Sequence, residues 1–271
     1  MNNLNIEYKN IINNNNNLNI IIPKNIKDTI NKFLKNIDTK YHSIYCKNID
    51  NINYDIFNNL DLYSFLLDCV DDAFKILVNK NNYLLNNSNL WKIFIYKNMM
   101  FELPFTFDDI IFIPASYIIS CFNSNNNFKF TKTLIHERIH VSQRYNLDIW
   151  HQFIFNNDKN WIKINSDNII FISIQNYDFL SLFNKNIVVN PDVCYPDFKY
   201  IYSYNNNLYY GMFLLNNNNN NNNTNISIKW VKIIFSNDNI TFQINDDSFL
   251  NSLLGEHPFE VYAYSISDDY M

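Results

Sequence analysis

Apolar residues recur at helical spacing in some stretches of this chain and at strand spacing in others, and the change of period marks its predicted elements. From Leu60 to Asn79, Phe65, Leu66, Cys69, Val70, Phe74 and Leu77 fall on one face of a helix. Ile26, Ile30, Phe33, Leu34 and Ile37 repeat that spacing after Pro23, a residue suited to a helix start. Both helices read as packing scaffold. A short apolar run, Ile110 to Ile113, bounded by Asp108-Asp109 and Pro114, predicts a strand. A third helix is expected over Phe128 to Tyr145, where Leu134, Ile135, Ile139 and Val141 supply apolar contacts, and a further segment over Asp148 to Asn156.

Beyond these helices the period shortens. Tyr200 to Tyr204, Leu208 to Leu215, Ile226 to Phe235 and Ile240 to Ile244 read as successive strands separated by Asn-rich turns, with the asparagine run 216 to 223 expected to be a disordered hairpin loop. A short helix, Ser248 to Leu254, is closed by Gly255, and Pro258 opens a last helix with Glu260 on its first turn and Ala263 and Tyr264 beneath it. The predicted class is α+β. Residues 1–22 form an Asn-rich extension or a weak hairpin through Leu18 to Ile22. Residues 23–98 form an N-terminal helical region, and 99–271 a core carrying an antiparallel β-meander at about 197–245.

Composition adjusts this picture at a few points. With 47% hydrophobic and 17% aromatic residues in 271, the chain can bury a substantial core. Asparagine supplies 55 residues, the imprint of an AT-rich coding sequence, so stretches without it stand out: Leu60 to Val78, Met99 to Phe122, Phe128 to Tyr145, Pro191 to Tyr204 and Ser252 to Met271. A formal net charge of −5 without a basic cluster argues against nucleic acid and anionic membrane as partners. Cys46, Cys69, Cys121 and Cys194 form no Cys-x-x-Cys pair, which favours reduced thiols. The first ten residues lack the features of a secretory signal, and no apolar run approaches 18 residues; an intracellular setting is the expectation.

Candidate chemistry concentrates in one place. His136-Glu137-Arg138-Ile139-His140 sets two histidines four apart, so both rings point from one helix face toward a common metal, while Glu137 sits where it can serve a metal-held water as base. With five His and five Glu in the chain, chance produces this pattern in about two of a thousand such sequences. The two arginines, Arg138 and Arg144, both lie on this segment although lysines number 19. His136, His140 and Arg144 share one stripe of the helix.

Two histidines need a third protein ligand, with one position left open for water. A histidine six residues past His140 is absent, because Asn146 stands there, and the metzincin pattern fails. The candidates are Asp148, His151, Asp178, Asp192, Glu256, His257 and Glu260. Glu260 has the best context: a helical turn, a small neighbour at Ala263 that permits close packing, and an Asn-free window.

His136-Glu137-Arg138-Ile139-His140 with a downstream Glu on a helix resembles the gluzincin class of zinc metallopeptidases. The longer string to Arg144, with Asn190-Pro191-Asp192 and His257 to Tyr264, is similar to metallopeptidase-like proteins of AT-rich large DNA viruses. The resemblance covers about Met99 to Met271 and departs from thermolysin-like enzymes in spacing, with about 120 residues between His140 and Glu260. It implies a zincin-like core and a peptide or protein substrate. It also implies Zn²⁺ on His136, His140 and Glu260, and Glu137 as general base. Tyr264, Tyr262 and His257 are then candidates to face the developing oxyanion. Arg144 and Gln143 are candidates to support the ligands or touch substrate, with an ordinary surface ion pair the plainer reading of Arg144. Arg138 is expected to face solvent or the sheet. Ile110 to Ile113 becomes either a substrate-pairing edge strand or a buried central one, and Asn190-Pro191-Asp192 a site loop or a plain turn. The alternative reading is a zincin-like binding module or virion component without catalysis.

Overall fold

A computed structural model describes residues 8–13, 18–23, 54–80, 90–97, 103–107, 109–164, 187–189, 201–204, 207–220, 223–236, 239–244 and 258–271. The helix expected after Pro23, Asn190-Pro191-Asp192, the short helix closed by Gly255, and His257 lie outside the described residues. The chain divides into two compact units, residues 1–147 with 263–271, and residues 148–262.

In the first unit five strands form one mixed sheet in the order β1-β2-β3-β5-β4: β1 (Tyr8–Asn13), β2 (Leu18–Pro23), β3 (Leu90–Tyr96), β4 (Phe105–Phe107) and β5 (Ile110–Pro114). β1 and β2 are an antiparallel hairpin, and β2 pairs in parallel with β3 through Asn19↔Leu90 to Ile21↔Lys92. The sheet therefore crosses the sequence boundaries drawn at 22 and 98. β3 pairs in parallel with β5 from Lys92↔Ile110 to Tyr96↔Pro114, and β4 pairs antiparallel with β5. Every residue of β5 is buried, which explains its unbroken apolar run. Of the two readings of Ile110 to Ile113, the buried central strand holds and the edge strand does not: β5 lies between β3 and β4, and among the described residues β4 ends that side of the sheet.

Helix α1 (Leu60–Lys80) buries Leu62, Phe65, Leu66, Cys69, Val70 and Ala73, a stripe at helical spacing, and begins where Asn59 accepts the Leu62 N–H at 3.0 Å. Its Phe65 ring stacks on Phe130 at 5.4 Å and meets Phe122 edge-on at 5.6 Å. Helix α2 (Ala115–Asn123) follows Pro114 and closes in a left-handed turn. Asn125 takes a φ of 50° while the N–H groups of Asn125 and Asn126 donate to the carbonyls of Phe122 and Cys121. Asn126 then caps the next helix, α3 (Asn127–Tyr145), accepting from the Lys129 N–H at 3.0 Å. Three consecutive asparagine-rich positions thus stop one helix and start the other.

The second unit holds α4 (Leu147–Asn157, from Asp148 on) and a six-stranded antiparallel sheet. Its strand order is β11-β10-β9-β8-β6, with β7 also on β9. β8 (Ile201–Tyr204), β9 (Asn207–Asn220), β10 (Asn223–Ser236) and β11 (Asn239–Ile244) form the meander. β6 (Trp161–Ile164) and β7 (Ile187–Val189) join it from earlier in the chain. The expected disordered loop at 216 to 223 is corrected: β9 and β10 stay in register through Asn220↔Asn223. A ladder of backbone hydrogen bonds needs no particular side chain, so asparagine does not end it. Helix α5 (Pro258–Tyr270) runs unbroken across the division, and its residues from Ala263 on belong to the first unit. There Lys132 pairs with Asp268, and Lys80 donates to the Asp269 carbonyl. Among the described residues no helix is long and apolar enough to cross a membrane.

Candidate metal centre

Helix α3 differs from an ordinary surface helix in what it hides. Thr131, Glu137, Arg138, His140, Ser142 and Gln143 are all buried along it. Buried polar groups carry a desolvation cost unless partnered, so their concentration on one helix calls for a chemical explanation.

His136 and His140 stand one turn apart, and their Nε2 atoms face each other at 3.0 Å. The other nitrogen of His140, Nδ1, lies 2.7 Å from Gln143 Oε1. A carbonyl oxygen only accepts, so Nδ1 carries the proton and Nε2 presents its lone pair toward His136. Gln143, at i+3, is one turn along the same helix face and fixes the ring that it touches.

The third group comes from α5. The Tyr264 ring lies 4.3 Å from the His136 ring, and Glu260, one turn earlier on the same unbroken helix, is 2% exposed. His136, His140 and Glu260 each offer one ligand atom, and these atoms all lie within 4.8 Å of one another. Two imidazole nitrogens and a carboxylate oxygen, converging in a largely buried place, form a group that could hold a metal ion. Ala263, one turn past Glu260 on α5, is fully buried.

Glu137 is 3% exposed, on the turn between the two histidines. Near it is a residue that the sequence did not single out, Tyr117 on α2. The Tyr117 and Thr133 hydroxyls share a hydrogen bond of 2.6 Å, and the Thr133 hydroxyl also lies 3.0 Å from the Lys129 carbonyl. Burial pushes the Tyr117 hydroxyl up to about 12, and the negative charge of Glu137 adds a smaller push in the same direction. Its signal was its Asn-free window, but 19 tyrosines gave no means of choosing it.

Both arginines turn toward the sheet. Arg138 is buried with its guanidinium 5.6 Å from the centre of the Trp91 ring on β3, and burial lowers its pKa against the opposing charge of Asp109. Arg144 donates from Nη2 to the Thr106 carbonyl of β4 at 2.9 Å. A main-chain partner of this kind leaves no trace in a sequence.

The remaining candidates go elsewhere. Asp148 is exposed on the first turn of α4, and His151 is buried in the second unit with Nε2 2.6 Å from the Tyr202 hydroxyl. Its ring lies among Phe155, Tyr202 and Phe259, and burial together with nearby Lys163 holds its pKa down to about 4, with Asp148 opposing. Tyr262 packs against Phe153 at 5.2 Å. Asp178, Asp192, Glu256 and His257 lie outside the described residues. The chain matches no protein-family model, and no curated protein and no solved structure is significantly similar to it.

Proposed function

We propose that this protein is a zinc-dependent metallopeptidase of gluzincin type, with His136, His140 and Glu260 as metal ligands and Glu137 as general base. The observation that supports this reading most is the pair of Nε2 atoms 3.0 Å apart, one with its tautomer set by Gln143, beside the Glu260 carboxylate. Zinc bound to nitrogen at about 2.0–2.1 Å in a tetrahedral site requires ligand atoms separated by about 3.3 Å, a spacing that the histidine pair nearly has already. Two His and one carboxylate leave a position open, as hydrolysis requires.

When bound there, zinc acidifies water and polarises a carbonyl oxygen. The chain's own residues supply the remainder. Glu137, between the two ligands on α3, takes the proton of the attacking water and returns it to the departing amine. Tyr264, 39% exposed and against His136, is the described side chain best placed to donate toward a developing oxyanion. The retained glutamate favours catalysis over a binding role, since metal binding needs only the ligands.

The test is hydrolysis of a quenched-fluorescent peptide pool by the zinc-loaded wild type and by Glu137→Gln. Turnover in the wild type, lost with a chelator and reduced about 10²–10⁴-fold in Glu137→Gln at equal zinc content, is the expected result. Equal turnover in the two proteins would remove Glu137 from the mechanism.

A further inference from the structure

We propose that Phe259 and Tyr262 are positioning residues that lock the first turn of α5 onto α4 and so hold the Glu260 carboxylate in the orientation in which it joins His136 and His140. The inference deepens the metal reading above and rests on it. Glu260 is the third residue of α5. The first four N–H groups of a helix have no partner within it, so its first turn is held less firmly than its middle. A ligand placed there needs an anchor from its neighbours.

The residues on either side of Glu260 carry rings, and the second unit's own core takes up both. Phe259 is buried, 5.8 Å from the His151 ring and 5.9 Å from the Tyr202 ring, and those two rings are 6.0 Å apart, which closes a triangle. Two of its corners are bonded to each other, His151 Nε2 to the Tyr202 hydroxyl at 2.6 Å. Tyr262 meets Phe153 edge-on at 5.2 Å, and Phe153 meets the fully buried Trp150 at 5.6 Å. His151 and Phe153 both belong to α4, so one helix receives both rings of α5, and all of these residues lie within residues 148–262.

At about 100° per residue, Phe259 and Tyr262 lie about 60° apart around α5, whereas Glu260 is about 100° from the first and about 160° from the second. Anchoring that side of the helix fixes its rotation about its own axis, and with it the direction in which Glu260 points. Tyr264, about 40° from Glu260, is on the ligand side, with its ring 4.3 Å from that of His136. Phe259 has no atom that could bind a metal, so any effect it has on metal binding must pass through another residue.

The experiment measures zinc affinity by competition with a fluorescent chelator. It compares wild type with Phe259→Ala, Phe259→Leu, Tyr262→Ala and Glu260→Ala, and with Phe259→Ala and Tyr262→Ala each combined with Glu260→Ala. Phe259→Ala and Tyr262→Ala should each weaken zinc binding about 10–100-fold, the range for groups that orient a ligand, and Phe259→Leu, which refills most of the space, should restore most of the loss. Where Glu260→Ala leaves the metal to the two histidines, adding Phe259→Ala or Tyr262→Ala should change the remaining affinity less than about twofold, because both act through the missing carboxylate. Ile201→Ala removes a fully buried side chain on the opposite face of β8 from Tyr202 and should destabilise the second unit without changing zinc affinity. His151→Gln keeps a group that can bond the Tyr202 hydroxyl and should leave the anchor in place.

Wild-type affinity in Phe259→Ala and Tyr262→Ala would overturn the proposal, and loss of zinc in Glu260→Ala would in that case leave the ligand set standing. Losses of equal size with and without Glu260 would overturn it in favour of a general effect on the fold. If Phe259→Ala does not fold, Tyr262→Ala carries the same comparisons. A wild type that binds no zinc would sink the metal reading and the proposal with it.

Discussion

His140 and His151 are both buried and both bonded through a ring nitrogen, one in each unit, yet their surroundings make them chemically opposite. His140 has Gln143 on Nδ1 and turns Nε2 toward His136 Nε2. His151 places Nε2 against the Tyr202 hydroxyl inside a ring of aromatic side chains. The first neighbourhood gathers further polar groups, Glu137 and Glu260 among them, all nearly without exposure. The second satisfies its histidine and surrounds it with carbon. Burial of a histidine is thus no mark of a metal site; convergence of lone pairs is.

This contrast can be broken in four places, which should respond in descending order. Largest is His140→Ala, which removes one of three ligands and should weaken zinc binding by about 10³-fold or more, measured by competition with a fluorescent chelator. His151→Gln, assayed the same way, should leave zinc affinity unchanged. Next is Glu260→Ala, which should also lose the metal; retention of zinc would move the third ligand to a residue outside the described ones.

The third change is in pH. His151 has a folded pKa near 4 against an ordinary value of 6.5, so the unfolded chain binds more protons between those limits. The stabilisation is fully present above about pH 6.5 and is lost as pH falls toward 4, by at most about 3 kcal/mol. Urea unfolding of the second unit's tryptophans at pH 7, 5.5 and 4.5 should show this slope in wild type and a flatter one in His151→Gln. Smallest is Gln143→Ala, which frees the His140 ring without touching a ligand and should cost about 10–100-fold in metal affinity. A null result there would mean that the Gln143 contact does not orient the ring.

Much of this was legible in the sequence where side-chain pattern and structure coincide. Leu60 to Asn79 announced α1 to within a residue, and the four meander strands followed their apolar runs. The group His136, His140 and Glu260 was legible because the i, i+4 spacing of the pair, and a helical turn in an Asn-free window for Glu260, are local facts. β3 was missed since Trp91 to Tyr96, covered on both sides, shows no alternation and sat inside a region read as helical. β4 was missed because three residues carry no period. The bond from Arg144 to the Thr106 carbonyl was not legible, because a backbone carbonyl is something every residue possesses. His151 resembled a ligand until Tyr202, 51 residues away, was found against it.

The central claim is that His136, His140 and Glu260 hold one catalytic zinc, and metal content tests it most directly. Elemental mass spectrometry of purified wild type, His140→Ala, Glu260→Ala and Glu137→Gln should give about one zinc per chain in the first and last and almost none in the other two. A wild type that carries no zinc after reconstitution, or a Glu260→Ala variant that keeps it, would contradict the account.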